Sequence, residues 1–182
     1  MKAILKLSVV LLILVGCKGS DGVVNSVEAQ QTQAMLDAGN FEIDLKTANP
    51  LASNELNQLQ NSGLLGVGNS AGRINLIGIT SYLQFKGDNL KVYLPYYGTR
   101  RMGVTMGRDN GAIEFDGVPT DYKSTYNEQK GRTQIDFSMR EGSENYDVII
   151  TIYPNRNAFV NINSSQRNSI SYDGVVSELK EE

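Results

Sequence analysis

The stretch Phe41-Glu42-Ile43-Asp44-Leu45-Lys46 decides the fold class. A period of two places Phe41, Ile43 and Leu45 on one face of an extended chain and Glu42, Asp44 and Lys46 on the other. That is a strand with one face on a core and the other in water. The same alternation returns downstream. Tyr82–Lys86 and Leu90–Leu94 flank Gly87-Asp88-Asn89 as a hairpin, and Tyr122–Tyr126 and Thr133–Met139 flank Gln129-Lys130-Gly131. Arg73–Ile77, Ala112–Phe115, Phe159–Ile162 and Ile170–Val176 add shorter strands. Tyr146–Tyr153 is the most apolar of them and reads as central, ending at Pro154-Asn155. About ten short strands with short turns predict a mainly β protein, an antiparallel β-barrel or sandwich.

Upstream the periodicity differs. Asn25-Ser26-Val27-Glu28 predicts a helix start, with Asn25 as N-cap and Glu28 at the third position. The helix runs to about Ala38 and stops at Gly39. Its thin apolar face of Val27, Ala34, Met35 and Ala38 suits packing across one end of a barrel or sheet. This is the one N-terminal helix of the expected fold. Between Pro50 and Gly72 the strand pattern breaks. Ser53–Ser62 can form a short helix on Leu56 and Leu59, and Gly63–Gly72 reads as a flexible loop.

Residues 1–16 read as a leader: Lys2 and Lys6 make a basic start, and Leu7–Val15 is almost wholly apolar. Leu7–Val15 is shorter than the ~20 apolar residues that span a bilayer. Leu14-Val15-Gly16-Cys17 resembles a bacterial lipobox, which implies cleavage before Cys17 and lipidation of its thiol. Several acyl chains make a stable anchor where one binds only marginally. Residues 17–24 then form a lipidated tether, 25–176 a single β-domain with its N-terminal helix, and 177–182 a charged tail. The expected location is the cell envelope, on the outer membrane.

The absences narrow the chemistry. The chain has 182 residues, no His, no Trp and one Cys. Ser-His-Asp and Cys-His machinery cannot be built, nor a His- or Cys-ligated zinc, haem or iron–sulfur site. No cofactor or metal is expected. A formal charge of −3 does not suit a phosphate backbone, so nucleic acid is not an expected partner.

Several phrases belong together. They are Val92-Tyr93-Leu94-Pro95-Tyr96-Tyr97-Gly98, Ile113 to Tyr122 through Val118-Pro119, Lys130-Gly131-Arg132, Tyr146-Asp147-Val148 through Pro154-Asn155, and Arg167 to Gly174. As an ordered set they resemble the domain of unknown function 4251 family of Bacteroidota lipoproteins and secreted proteins. The resemblance covers roughly Phe41–Val176 and implies an envelope location and an all-β body. The family has no assigned activity, so no catalytic residue carries over. This chain departs from it at Pro50–Gly72.

Three stretches raise chemical possibilities. Gly66–Gly72 is glycine-rich but lacks the spacing and the lysine of a phosphate loop. Glu114 and Asp116 share a strand face, and such a carboxylate pair could act on a sugar. The bland reading is the solvated side of an amphipathic strand. Tyr96, Tyr97, Arg100 and Arg101 lead into a loop that continues to Asn110 with Met102, Met106 and Arg108. Tyrosine and arginine can grip an anionic or aromatic ligand, so these four are the candidate ligand-binding residues. Their other use is a long connection packed on a barrel rim.

The leading expectation is a lipid-anchored, non-catalytic binding or structural module. Its partners would be the membrane through the anchor and either a small amphiphile held in the barrel or an envelope protein. The alternative is a carboxylate-based enzyme acting on envelope glycans.

Overall fold

The computed structural model describes residues 26–101 and 111–179. Two helices and ten strands make it up: α1 (Val27–Asp37), β1 (Asn40–Pro50), α2 (Asn54–Asn61), β2 (Ile74–Asn75), β3 (Tyr82–Lys86), β4 (Asn89–Leu94), β5 (Ile113–Gly117), β6 (Thr120–Asn127), β7 (Arg132–Glu141), β8 (Glu144–Ile152), β9 (Asn157–Ser164) and β10 (Ile170–Glu178). All the strands join one antiparallel sheet, ordered β5-β4-β3-β1-β10-β9-β8-β7-β6, with the short β2 paired to β1. One sheet, not a sandwich of two, is the architecture.

The order forces curvature. β5 and β6 lie at opposite ends of the sheet, yet only Val118 and Pro119 separate them in the chain. Three peptide steps reach at most ~11 Å, so the two ends must come together at that corner. The ring of Phe85 on β3 lies 6.3 Å from Tyr122 on β6 and 6.0 Å from Phe137 on β7, across the interior. The result is a curled half-barrel, with the seam between β5 and β6.

The inward phase of the strands fills this half-barrel. Phe41, Ile43 and Leu45 are almost fully buried, as are Leu83 on β3, opposite Ile43, and Leu90 and Leu94 on β4. Val148, Ile150 and Ile152 on β8 meet Val160 and Ile162 on β9. Burying each such side chain contributes roughly 1.5–3 kcal/mol. The middle of the sheet is the pairing of β1 with β10, not Tyr146–Ile152 as the apolar run predicts. β8 is an interior strand nearer one end.

A bulge bends the sheet at its centre: the β1–β10 register shifts between Leu45 and Thr47. Gly174 sits opposite, where a Cβ would lie 2.5 Å from the Asp44 carbonyl oxygen. The backbone groups freed there find other partners. Leu45 N donates to Ser81 O at 3.1 Å, Ser81 Oγ donates to Leu45 O at 2.8 Å, and Leu76 N donates to Lys46 O at 2.9 Å.

α1 closes one end of the barrel, as its composition suggests, but in a different setting. Ser26 is the N-cap, accepting from Ala29 N at 3.1 Å, while Asn25 lies outside the described residues. The buried face is Ala29, Thr32, Met35 and Leu36, and Val27 is 69% exposed. At ~100° per residue this stripe lies to one side of the expected Val27, Ala34, Met35 and Ala38 face, of which only Met35 is buried. Thr32 Oγ1 donates to Pro154 O at 2.9 Å and ties the helix to the β8–β9 turn. The short helix expected over Ser53–Ser62 forms as α2, capped by Ser53 and resting on the buried Leu56, and is the second helix among the described residues.

Candidate functional site

At the end of the barrel formed by the start of β8 and the end of β9, ionic side chains are buried. Ser164 starts the arrangement: its Oγ accepts from Gln166 N at 2.9 Å and Arg167 N at 3.0 Å, folding the chain back as serine turns do. Arg167 is thereby turned inward and left 3% exposed. Its Nε donates to Glu144 Oε1 at 2.9 Å and Oε2 at 3.2 Å, and its Nη1 to Gly111 O at 2.7 Å. The guanidinium lies 5.1 Å from the Tyr96 ring and 6.0 Å from the Tyr146 ring, a cation against two aromatic rings.

Glu144 is the hub. It also accepts from Arg100 Nη2 at 3.2 Å and from the Ser164 hydroxyl in a short bond. Burial alone would raise its pKa. The Ser164 hydroxyl and the Arg167 guanidinium outweigh that and hold the carboxyl below the usual glutamate range. Tyr146 sits beside this carboxylate, and its buried hydroxyl completes no hydrogen bond of good geometry. Burial pushes Tyr146 and Tyr172 well above the ordinary tyrosine range. Tyr172 Oη donates to Pro95 O at 2.9 Å.

The four candidate ligand residues lie on this end. Tyr96, Arg100 and Arg101 are gathered against the turn that carries Arg167. Tyr96 Oη faces Asn168 O at 3.0 Å and Thr99 O at 3.2 Å, and Gly98 leaves room for the ring to fold back, since a Cβ there would meet Tyr96 Oη at 2.5 Å. Arg101 N donates to Gln166 O at 2.7 Å and its Nη2 to Arg167 O at 2.8 Å. Arg100 and Arg167 form a single antiparallel bridge. Tyr97 is half-buried against the core, and burial raises its hydroxyl too. The continuation with Met102, Met106 and Arg108 lies outside the described residues, as does Cys17.

The carboxylate pair is placed elsewhere. Glu114 and Asp116 are exposed on the outer face of β5, opposite Tyr93 and Lys91. Asp116 Oδ1 accepts from Asn89 Nδ2 at 3.1 Å. Both line an open depression of about 510 Å³ together with Tyr82 on β3 and, from across the seam, Arg140 on β7.

Sequence reasoning missed Glu144 and Arg167. A signal was present for the first. Glu144 falls in the same alternation phase as Tyr146, Val148, Ile150 and Ile152, so the period that buries them buries it. Arg167 sits in a turn, where no period operates.

Comparisons with known proteins agree with this fold. The family model described as domain of unknown function (DUF4251) matches residues 24–176. A crystal structure of a DUF4251 family protein from Bacteroides eggerthii is similar, with a TM-score of 0.56 at 17% identity, covering 84% of this chain and 88% of that one. No curated protein matches the chain. The chain belongs to the DUF4251 family.

Proposed function

We propose that this DUF4251 member is a lipid-anchored protein of the outer membrane, held by acyl chains on Cys17, whose β-domain is a non-catalytic binding or structural module. The use made of its buried ionic chemistry carries this reading. Both oxygens of Glu144 are engaged by Arg167, Arg100 and Ser164, so the group is a fixed anion. A general acid needs a carboxyl whose pKa is raised toward neutrality, and Glu144 is shifted the other way. Glu114 and Asp116 stand in solvent on an outer face, which gives the glycan-hydrolase alternative no converging pair in a closed cleft. Apolar side chains occupy the half-barrel interior, which favours an envelope protein recognised on the surface over an amphiphile held inside.

The anchor is tested in native cells. The wild-type protein is expected in the membrane fraction, with acyl mass on an N-terminal Cys17, and Cys17→Ser in the aqueous fraction. Wild-type protein found free in solution, with an unmodified thiol, would overturn the reading.

A further inference from the structure

The outer face of β8, β9 and β10 carries an apolar cluster that the core does not use. Phe159 lies opposite Thr151 on one side and Asp173 on the other. Its diagonal neighbours on the same face are therefore Ile149 and Tyr153 at the β8 side and Val175 on β10, within about 7–8 Å. All four are 37–41% exposed. Outward positions on a solvated sheet are ordinarily polar, and here four apolar ones adjoin. Beside Tyr153, Phe159 and Val175 an open groove of about 780 Å³ runs over Gly174.

The place where the chain enters the fold lies at this groove. Glu28, in the first turn of α1, is one of its walls. Thr32, one turn further on, is bonded to Pro154, which is another. Val27, one residue before Glu28, is exposed. Nine peptide steps separate Cys17 from Ser26 and span at most ~30 Å. A short anchor at that end sets this face, rather than the seam, near the bilayer.

We propose that the Ile149–Tyr153–Phe159–Val175 face docks on the surface of the lipid bilayer in which Cys17 is anchored. This rests on the lipid-anchor reading above. Aromatic residues with a polar tip, such as Tyr153, suit the headgroup level. The ionic rim holds Glu28, Asp44 and Asp173 against Lys46, so attraction to anionic lipid does not drive the contact. Apolar insertion into a zwitterionic surface does, and it is insensitive to salt.

The sequence offers a direct test, because it has one Cys and no Trp. The chain from Cys17 onward is coupled through that thiol to a maleimide phospholipid in phosphatidylcholine vesicles. The coupling fixes the anchor whatever the cell does. Phe159→Trp places a sole indole in the cluster, and Tyr93→Trp places one on β4, four strands away around the sheet. Lipids with brominated chains are expected to quench the indole of the Phe159→Trp variant and not that of Tyr93→Trp. Iodide quenching of the Phe159→Trp variant is expected to fall several-fold on coupling and to stay low at high salt. If Phe159→Trp fails to fold, Ile149→Trp reports the same face. Equal iodide access in the two variants, without quenching by brominated lipid, would overturn the proposal. So would shielding of the Phe159→Trp indole that appears only when envelope proteins are added, which would assign the face to a protein partner. Absence of acyl mass on native Cys17 would sink the anchor reading itself, a separate failure.

Discussion

Replacing Glu144 with Gln removes one charge from the barrel end and leaves the shape nearly unchanged. Arg167 then remains 3% exposed, with its Nη1 on Gly111 O and its Nε facing a neutral amide. Breaking a buried ion pair from one side costs about 3–5 kcal/mol, because the surviving charge is uncompensated. Arg100 is less buried than Arg167 and can turn toward water, which places the expected cost at the lower end of that range. For a domain of this size about 2–4 °C of Tm accompanies each kcal/mol, so a cost of about 3 kcal/mol lowers the Tm of Glu144→Gln by roughly 6–12 °C. The decisive comparison is the double variant Glu144→Gln/Arg167→Met. It removes both charges, and apolar replacement of a buried pair is often close to neutral. The double variant is therefore expected to be more stable than Glu144→Gln alone. Urea titrations of wild type, both single variants and the double variant, followed by circular dichroism, complete the cycle. A cost below about 1 kcal/mol for Glu144→Gln, the range of an exposed pair, would refute the reasoning. So would a double variant less stable than either single one.

Acid unfolding probes the same carboxylate. Its folded pKa is depressed, so its stabilisation is complete above the ordinary glutamate value of about 4.3 and is lost as pH falls through the lower folded value. Wild type is expected to lose stability between pH 5 and its acid transition more steeply than Glu144→Gln, measured by urea midpoints across that window. Tyr146 and Tyr172 work in the opposite sense. Their raised pKa values give a contribution that is complete below about pH 10 and is lost as pH rises through the folded values. Absorbance at alkaline pH should show these two ionising only as the chain unfolds, and Tyr172→Phe should remove one of the late-titrating rings. Gly174→Ala is expected to cost about 1–3 kcal/mol, since its methyl meets the Asp44 carbonyl and Leu45. Gly72→Ala, with open space around it, is the control and should be near neutral or slightly stabilising by thermal melts.

Half of the site is legible in the sequence. Tyr96, Arg100 and Arg101 stand out because tyrosine and arginine follow a proline beyond a strand, and they do gather at one end of the barrel. Their partners are not legible. Glu144 and Arg167 are 23 residues apart, and only the β8–β9 pairing and the Ser164 turn bring them together. The apolar outer cluster is hidden for a related reason. Ile149 on β8, Tyr153 just after it, Phe159 on β9 and Val175 on β10 each look like an ordinary outward residue of one strand.

The local alternation, together with the turn residues, determined by itself that the chain is antiparallel β and which side chains face inward on strands such as β1, β3, β4, β7 and β8, and the composition, with no His, left no imidazole for chemistry. Those properties depend on composition and on neighbours along the chain. Tertiary structure decided that the strands form one curled sheet instead of two stacked ones. It also decided that β1 and β10, from opposite ends of the chain, sit at its centre. A period of two specifies which way a side chain points but not which strand lies beside it. Strand order, the Glu144–Arg167 pair and the outer apolar face all depend on that second choice.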